Sequence, residues 1–163
     1  MALRCTQKLL SRLKAKPGLD STVATTLLGH WYANLIYIGR QQLILCVSEK
    51  SFLPVLLAAK DLPTMPTRLL NGAAWMLTKI GVPELAMQHE LAAMHGFVIG
   101  RTQSRQVLGV MNEMAIYLSF MMSDEPGRPY EAYMAELADT IYSPIGYKSP
   151  AEVTRELFSL SLR

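Results

Sequence analysis

The stretch of sequence that decides the fold runs from residue 30 to residue 48 and reads HWYANLIYIGRQQLILCVS. Its first nine residues, His30 to Ile38, are rich in the aromatic and β-branched side chains that favour strands. Gly39-Arg40-Gln41 has the composition of a turn, and Gln42 to Ser48 is a second apolar run. Two strands joined by so short a turn are antiparallel, so the sequence predicts a β-hairpin here.

A third strand is predicted directly after the hairpin. Glu49-Lys50-Ser51 forms a turn, and the segment from Phe52 to Ala59 is again apolar. Pro54 has no N–H to donate to a neighbour, so this strand is expected at an edge of the sheet or to begin after the proline. The three strands form an antiparallel meander, and their continuous apolar runs require helices over at least one face.

The rest of the chain is predicted to be mostly helical. Two further short strands are predicted, at 3–5 and 97–100. Gly81-Val82-Pro83 is a helix stop, and Ser149-Pro150-Ala151-Glu152 is a capping box that opens the last helix. Helices are predicted at residues 6–13, 64–80, 83–96, 104–122, 130–141 and 149–158. The predicted fold class is α+β, with an antiparallel sheet of four or five strands packed on one face by helices, and with a helical C-terminal extension at 123–163.

Composition limits the class of protein. The chain has 163 residues, half of them hydrophobic and 18% charged, which predicts one folded domain over 1–163. Its apolar runs are too short to span a membrane, and its basic start lacks the features of a secretory signal. Cys5 and Cys46 lie in apolar contexts, which predicts buried free thiols and a cytoplasmic location unless the two face each other across the sheet.

Charge is distributed unevenly along the chain. Residues 1–110 carry a formal charge of +7, and residues 111–163 carry −4. One interpretation is that the two parts attract each other within one domain. The other is that a basic surface, with Arg4, Lys8, Arg12, Arg40, Arg101 and Arg105, binds an acidic partner such as nucleic acid.

The segment from Arg101 to Glu113 is the best candidate for a functional surface. At about 100° per residue, Arg105, Gly109 and Asn112 fall on one side of the predicted helix, and Met111 and Met114 fall on the other. Thr102 or Ser104 is expected to cap this helix, and the free N–H groups of its first turn favour an anion. The alternative is that Arg105 pairs with a carboxylate of the fold, such as Glu113 or Glu49.

Two further expectations concern the same helix. Gly109 in the middle of a helix is less stable than alanine by about 1 kcal/mol, which predicts that a backbone, a ring or a ligand packs closely there. Beyond Asn112 the polar side of the helix turns apolar, with Ile116 and Phe120. The C-terminal half is therefore expected to be buried nearly all round.

No known catalytic or metal-binding motif stands out. The segment from His89 to His95 superficially resembles a zinc-protease helix, but its histidines are six residues apart instead of four. His30 lacks a locally placed serine, cysteine or carboxylate with which to form a triad. We therefore expect no metal, no cofactor and no catalytic residue.

Three segments carry a resemblance to a known family: Arg4 to Leu10, Trp31 to Leu35 with Gly39-Arg40, and Thr102 to Glu113. The chain resembles bacterial and phage proteins of unknown function whose pattern is Trp-His-Ala-Asn-Leu on a strand and Thr-x-x-Arg-x-x-Leu-Gly-x-Met-Asn on a helix. Tyr32 replaces the histidine of that pattern. The resemblance covers roughly residues 1–120 and implies an association with mobile elements, but no reaction.

These observations favour a cytoplasmic, non-enzymatic interaction protein, with an unidentified protein partner or a homodimer. The alternatives are a nucleic-acid-binding or nucleic-acid-processing protein with a basic face and a hydrolase or nuclease centred on His30 with Asn34 and Arg105. The candidate binding residues are Arg101, Thr102, Arg105, Gly109, Asn112, Asn34 and Arg40.

Overall fold

The structure, a computed structural model, describes residues 1–18 and 22–161. The strands are β1 (Ala2–Cys5), β2 (Trp31–Ile38), β3 (Gln41–Ser48), β4 (Pro54–Ala58) and β5 (Val98–Arg101). The α-helices are α1 (Gln7–Leu13), α2 (Met65–Ile80), α3 (Glu84–Met94), α4 (Arg105–Asp124), α5 (Tyr130–Asp139) and α6 (Pro150–Ser161). Each strand and helix predicted from the sequence is present, with its ends displaced by a few residues, so the α+β class is confirmed.

The sheet is mixed, with strand order β4-β3-β2-β1-β5. The meander of β2, β3 and β4 is antiparallel as predicted, and β4, which starts at Pro54, is an edge strand. The prediction of a wholly antiparallel sheet is wrong, because β1 is parallel to both of its neighbours, β2 and β5. Each of these parallel pairs is joined through at least one helix, and such crossovers return the chain in the same direction.

Helices cover both faces of the sheet, so the prediction that they pack on one face is wrong. Residues 43–47 of β3 are all buried, and successive side chains of a strand point to opposite faces. On one face, Val55 of β4 packs against Gly72 of α2. Leu56, the next residue of β4, points to the other face, which also carries Tyr32 of β2 against the start of α4.

The local signals for helix ends are confirmed. Gly81 has a φ of 89°, the left-handed conformation that glycine adopts without strain, and the Val82 N–H donates to the Leu77 carbonyl at 3.0 Å. The Ser149 N–H donates to the Glu152 carboxylate at 2.7 Å, and the Glu152 N–H donates to the Ser149 hydroxyl at 3.2 Å. These reciprocal bonds are those of a capping box.

Buried polar bonds attach the last helix and one loop to the sheet. The Thr154 hydroxyl of α6 donates to Ser51 Oγ at 2.9 Å, and Ser51 Oγ lies 3.0 Å from Ser48 Oγ at the end of β3. On α3, the buried Glu90 carboxylate accepts from the N–H groups of Leu27 and Leu28 at 2.7 and 3.0 Å. Residues beyond 122 therefore share the core with the sheet.

Within the two described ranges, the structure contains no helix that is both long enough and apolar enough to cross a membrane.

Candidate functional site

Helix α4 presents a continuous exposed stripe to solvent, formed by Arg105, Gly109, Asn112, Ile116 and Phe120. Counted at 100° per residue, the other four residues all lie within about 60° of Arg105 on the helix surface. The stripe extends for roughly 22 Å at 1.5 Å per residue. The opposite side of the helix is buried and faces the sheet through Val107, Val110, Met111, Met114, Leu118, Met121 and Met122.

The expectation that the C-terminal half of α4 is buried nearly all round is wrong. Ile116 is 60% exposed and Phe120 is 65% exposed, and Tyr117 beside them is 36% exposed. The sequence signal for these residues was their position: they fall in the same angular sector as Arg105 and Asn112, opposite a side that is already fully apolar. The apolar residues beyond Asn112 form an exposed outer face of α4 and not a second buried face.

The close contact predicted at Gly109 is absent from the part of the chain that the structure describes. A Cβ atom built at Gly109 meets no described atom within 4 Å. The Arg105 side chain is exposed and makes neither a hydrogen bond nor an ion pair with the described residues. The internal pairings considered for Arg105, with Glu113 or Glu49, are therefore not formed.

The N-terminal turn of α4 is held against β2. Ser104 caps the helix, and its hydroxyl accepts from the Val107 N–H at 3.2 Å. The buried Tyr32 hydroxyl lies within hydrogen-bonding reach of the backbone of Ser104 and Gln103. Burial, and secondly the charge of Glu49, raise the pKa of Tyr32 above its usual value, so the group facing this turn is a neutral phenol.

Arg101, Thr102 and Asn34 lie close to α1. The Arg101 guanidinium donates to Gln7 Oε1 at 3.2 Å, and Thr102 follows it, half-buried, in the loop before α4. Asn34 is half-buried, and its Oδ1 accepts from the Thr6 hydroxyl at 2.8 Å. These residues gather where the parallel strands β1 and β5 end, and Asn34 serves there to fix the first turn of α1.

Arg40 lies near the opposite, C-terminal end of α4. It lies in the turn between β2 and β3 and lines an open groove of about 500 Å³ with Ser119, Met122 and Ser123 of α4. Ser123 is 18 residues after Arg105, which corresponds to roughly 27 Å along the helix. The candidate residues therefore divide between the two ends of α4 and do not form one pocket.

The residues of the hydrolase hypothesis do not come together either. His30 is buried, and its Nδ1 accepts the Ala2 N–H at 2.9 Å. Asn34 is four positions after His30, which is roughly 13 Å in an extended chain. Asn34 is itself bonded to Thr6, and Arg105 points to solvent.

The two cysteines and Arg4, which could in principle react or bind a ligand, are buried. Cys5 and Cys46 are free and buried, as predicted, and burial raises the pKa of Cys5 to about 12, which keeps the thiol protonated. Arg4 is only 5% exposed, so it does not belong to an exposed basic face. Among residues 1–18 and 22–161, no three His, Cys, Asp or Glu side chains are grouped to hold a metal ion.

Fold and surface together define an α+β domain with a mixed five-stranded sheet and a largely exposed helical stripe. The chain belongs to a family described as Domain of unknown function (DUF6933), which matches residues 2–153. The match continues past residue 122 and includes α5 and the start of α6. No curated protein and no solved structure matches the chain.

Proposed function

We propose that this protein is a non-enzymatic interaction protein whose working surface is the exposed stripe of α4. The observation that carries the proposal is the exposure of Ile116 and Phe120, two large apolar side chains one turn apart. An exposed apolar patch rimmed by polar groups is the usual mark of a protein-binding surface. Here the polar Asn112 lies one turn before Ile116, and Arg105 lies farther along the stripe toward the start of α4.

One side of the stripe is bonded to the neighbouring helix α5. The Tyr117 hydroxyl donates to Glu136 of α5 at 2.9 Å, and Arg128 forms ion pairs with Glu136 at 3.0 Å and Glu125 at 3.1 Å. The Tyr117 bond joins α4 directly to α5, and Arg128 in the turn between the two helices adds ion pairs beside it. A preordered surface loses less conformational entropy when a partner binds.

A photocrosslinking experiment in cells of the protein's own source tests this function. A photoreactive phenylalanine analogue would replace Phe120 or Ile116 in one set of variants and Leu85 of α3 or Leu160 of α6 in a control set. The control side chains are equally exposed, at 66% each, and lie on other helices. We expect a discrete adduct from positions 116 and 120 alone; adducts of equal yield from all four positions would contradict the proposal.

A second candidate, nucleic-acid binding, is favoured by one contact. The bond from Arg101 to Gln7 places the cation at the end of β5 beside α1, the helix that carries Lys8 and Arg12. Phosphate binding by these residues would weaken steeply with salt. Retention on single-stranded or double-stranded nucleic acid at low salt, reduced by Arg101→Glu, would support this function, and absence of retention would exclude it.

A further inference from the structure

We propose that the partner of the α4 stripe is a second copy of this chain, bound through an antiparallel α4–α4 contact about a twofold axis. This inference rests on the proposed function, because it names the occupant of the same surface. A twofold interface requires a patch that is complementary to itself. The order of residues along α4 meets that requirement.

The complementarity follows from the spacing. Placing the axis between Asn112 and Glu113 sets Gly109 of one copy opposite Ile116 of the other, and Arg105 opposite Phe120. A missing side chain thus faces a large one, since the space beside Gly109 is open and Ile116 is 60% exposed. A guanidinium likewise faces an aromatic ring, a favourable cation–π pairing. At the axis, the Asn112 amide meets the Glu113 carboxylate as a hydrogen-bond donor.

Charge supports the antiparallel direction. Arg105 is the first residue of α4 and Asp124 is the last, and both are exposed. Each has the sign that the dipole of its own helix disfavours. Within residues 1–18 and 22–161, neither side chain forms an ion pair or a hydrogen bond that offsets this. In the antiparallel pair, Asp124 of one copy lies one turn beyond the residue that faces Arg105 of the other, which is within reach of an arginine.

Gly109 provides the reason for close approach. Glycine at an exposed site in mid-helix is unfavourable within one copy, and nothing described in the same copy requires it there. A small residue on a helix allows a second helix to pack with its axis close by. The contact is short, so we expect a dimer that dissociates on dilution rather than an obligate one.

The test is the mass of the purified chain by sedimentation equilibrium between about 1 μM and about 500 μM. Expected results are twice the monomer mass at the upper end for wild type, and the monomer mass throughout for Gly109→Leu and Ile116→Glu. Leu85→Glu is the matched control, since Leu85 is as exposed as the stripe residues but lies on α3, and it should dimerise like wild type. Circular dichroism of each variant verifies that the fold is intact.

A charge exchange tests the direction of the helices. Arg105→Asp and Asp124→Arg should each shift the dimer dissociation constant upward by about tenfold or more, as expected for an opposed pair made repulsive. Mixing these two variants should restore a heterodimer, because each then supplies the charge that the other lacks. Failure of the mixture to associate would overturn the antiparallel arrangement.

The results of these experiments distinguish a failure of the homodimer proposal from a failure of the proposed interaction function. Wild type that stays monomeric over the whole range overturns the homodimer, and so does a dimer that Gly109→Leu and Ile116→Glu leave intact. If the crosslinker at Phe120 still yields an adduct with a different protein in cells, the interaction function stands and only its occupant was wrong. A monomer that also gives no adduct removes both.

Discussion

Two glycines in the middle of helices, Gly72 on α2 and Gly109 on α4, are identical in the sequence and opposite in their surroundings. A Cβ atom added to Gly72 would overlap Cγ1 of Val55 on the neighbouring strand. A Cβ atom added to Gly109 would meet none of the described atoms. The fold therefore explains the first glycine and leaves the second to be explained by something outside the described chain.

The largest effect is expected from Gly72→Ala. The added methyl group must displace Val55 or move α2 away from β4, and overpacking of this kind lowers the free energy of unfolding by about 1–3 kcal/mol. Urea unfolding at equilibrium measures the change. Val55→Ala in the Gly72→Ala background should recover part of the loss, because it removes the atom that clashes. Equal urea midpoints for Gly72→Ala and wild type would show that α2 and β4 can accommodate the methyl group without loss of stability.

Local signals carried most of the fold prediction. The stop at Gly81-Val82-Pro83 and the capping box from Ser149 to Glu152 depend on bonds between residues only a few positions apart. Such bonds can be recognised from spacing alone. The parallel pairing of β1 with β2 and β5 was missed because it joins residues about 28 and 96 positions apart in the chain, and four-residue strands show no period that distinguishes a parallel from an antiparallel neighbour.

The candidate site was predicted in part. The sequence located the exposed stripe at Arg105 and Asn112 but assigned Ile116 and Phe120 to the core, because apolar spacing cannot tell which faces of a helix find a covering element. It also assigned Arg4 to a basic surface, although β1 is a central strand and the side chain is buried. In both cases burial was decided by elements distant in sequence.

Thr154→Val tests a second buried contact, in this case a polar one. The Thr154 hydroxyl bonds to Ser51 in a fully buried chain of hydroxyls that connects α6 to the end of β3. Removing it deprives Ser51 of a donor at nearly constant volume, so the free energy of unfolding should fall by about 1 kcal/mol. Thr67→Val on the exposed side of α2 is the control and should change little. A loss no greater than that of the control would mean that α6 is held by apolar packing alone.

Glu90→Gln tests a buried charge through pH. Burial is the main cause that raises the pKa of Glu90 above 4.5, and it outweighs the opposing bonds from the Leu28 and Leu27 N–H groups and the charge of Lys50. The folded chain therefore holds this proton more tightly than the unfolded chain. The resulting stabilisation is fully present below pH 4.5 and is lost as pH rises through the raised pKa.

The measurement is urea unfolding over a pH series from about 4 to 8, compared between wild type and Glu90→Gln. We expect the stability of wild type, relative to the variant, to decrease as pH rises. Glu84→Gln, an exposed change on the same helix, is the control: it retains Glu90 and should therefore lose stability with rising pH as wild type does. A slope of opposite sign would mean that the two amide bonds dominate over burial.

Gly109→Ala is expected to have a smaller effect on stability than Gly72→Ala, and one of opposite sign. With open space at Gly109, the methyl group meets no described atom, and the higher helix propensity of alanine should raise the free energy of unfolding of the monomer by about 1 kcal/mol. Unfolding must be measured at low micromolar concentration or below, where a weak dimer has dissociated, because association would add its own stabilisation to wild type. If Gly109→Ala is instead destabilising under these conditions, the glycine has a packing role within one copy and the contrast with Gly72 disappears. If Gly109→Ala stabilises the monomer and weakens association, Gly109 is unfavourable for the folding of one copy and favourable for the approach of a second α4 helix.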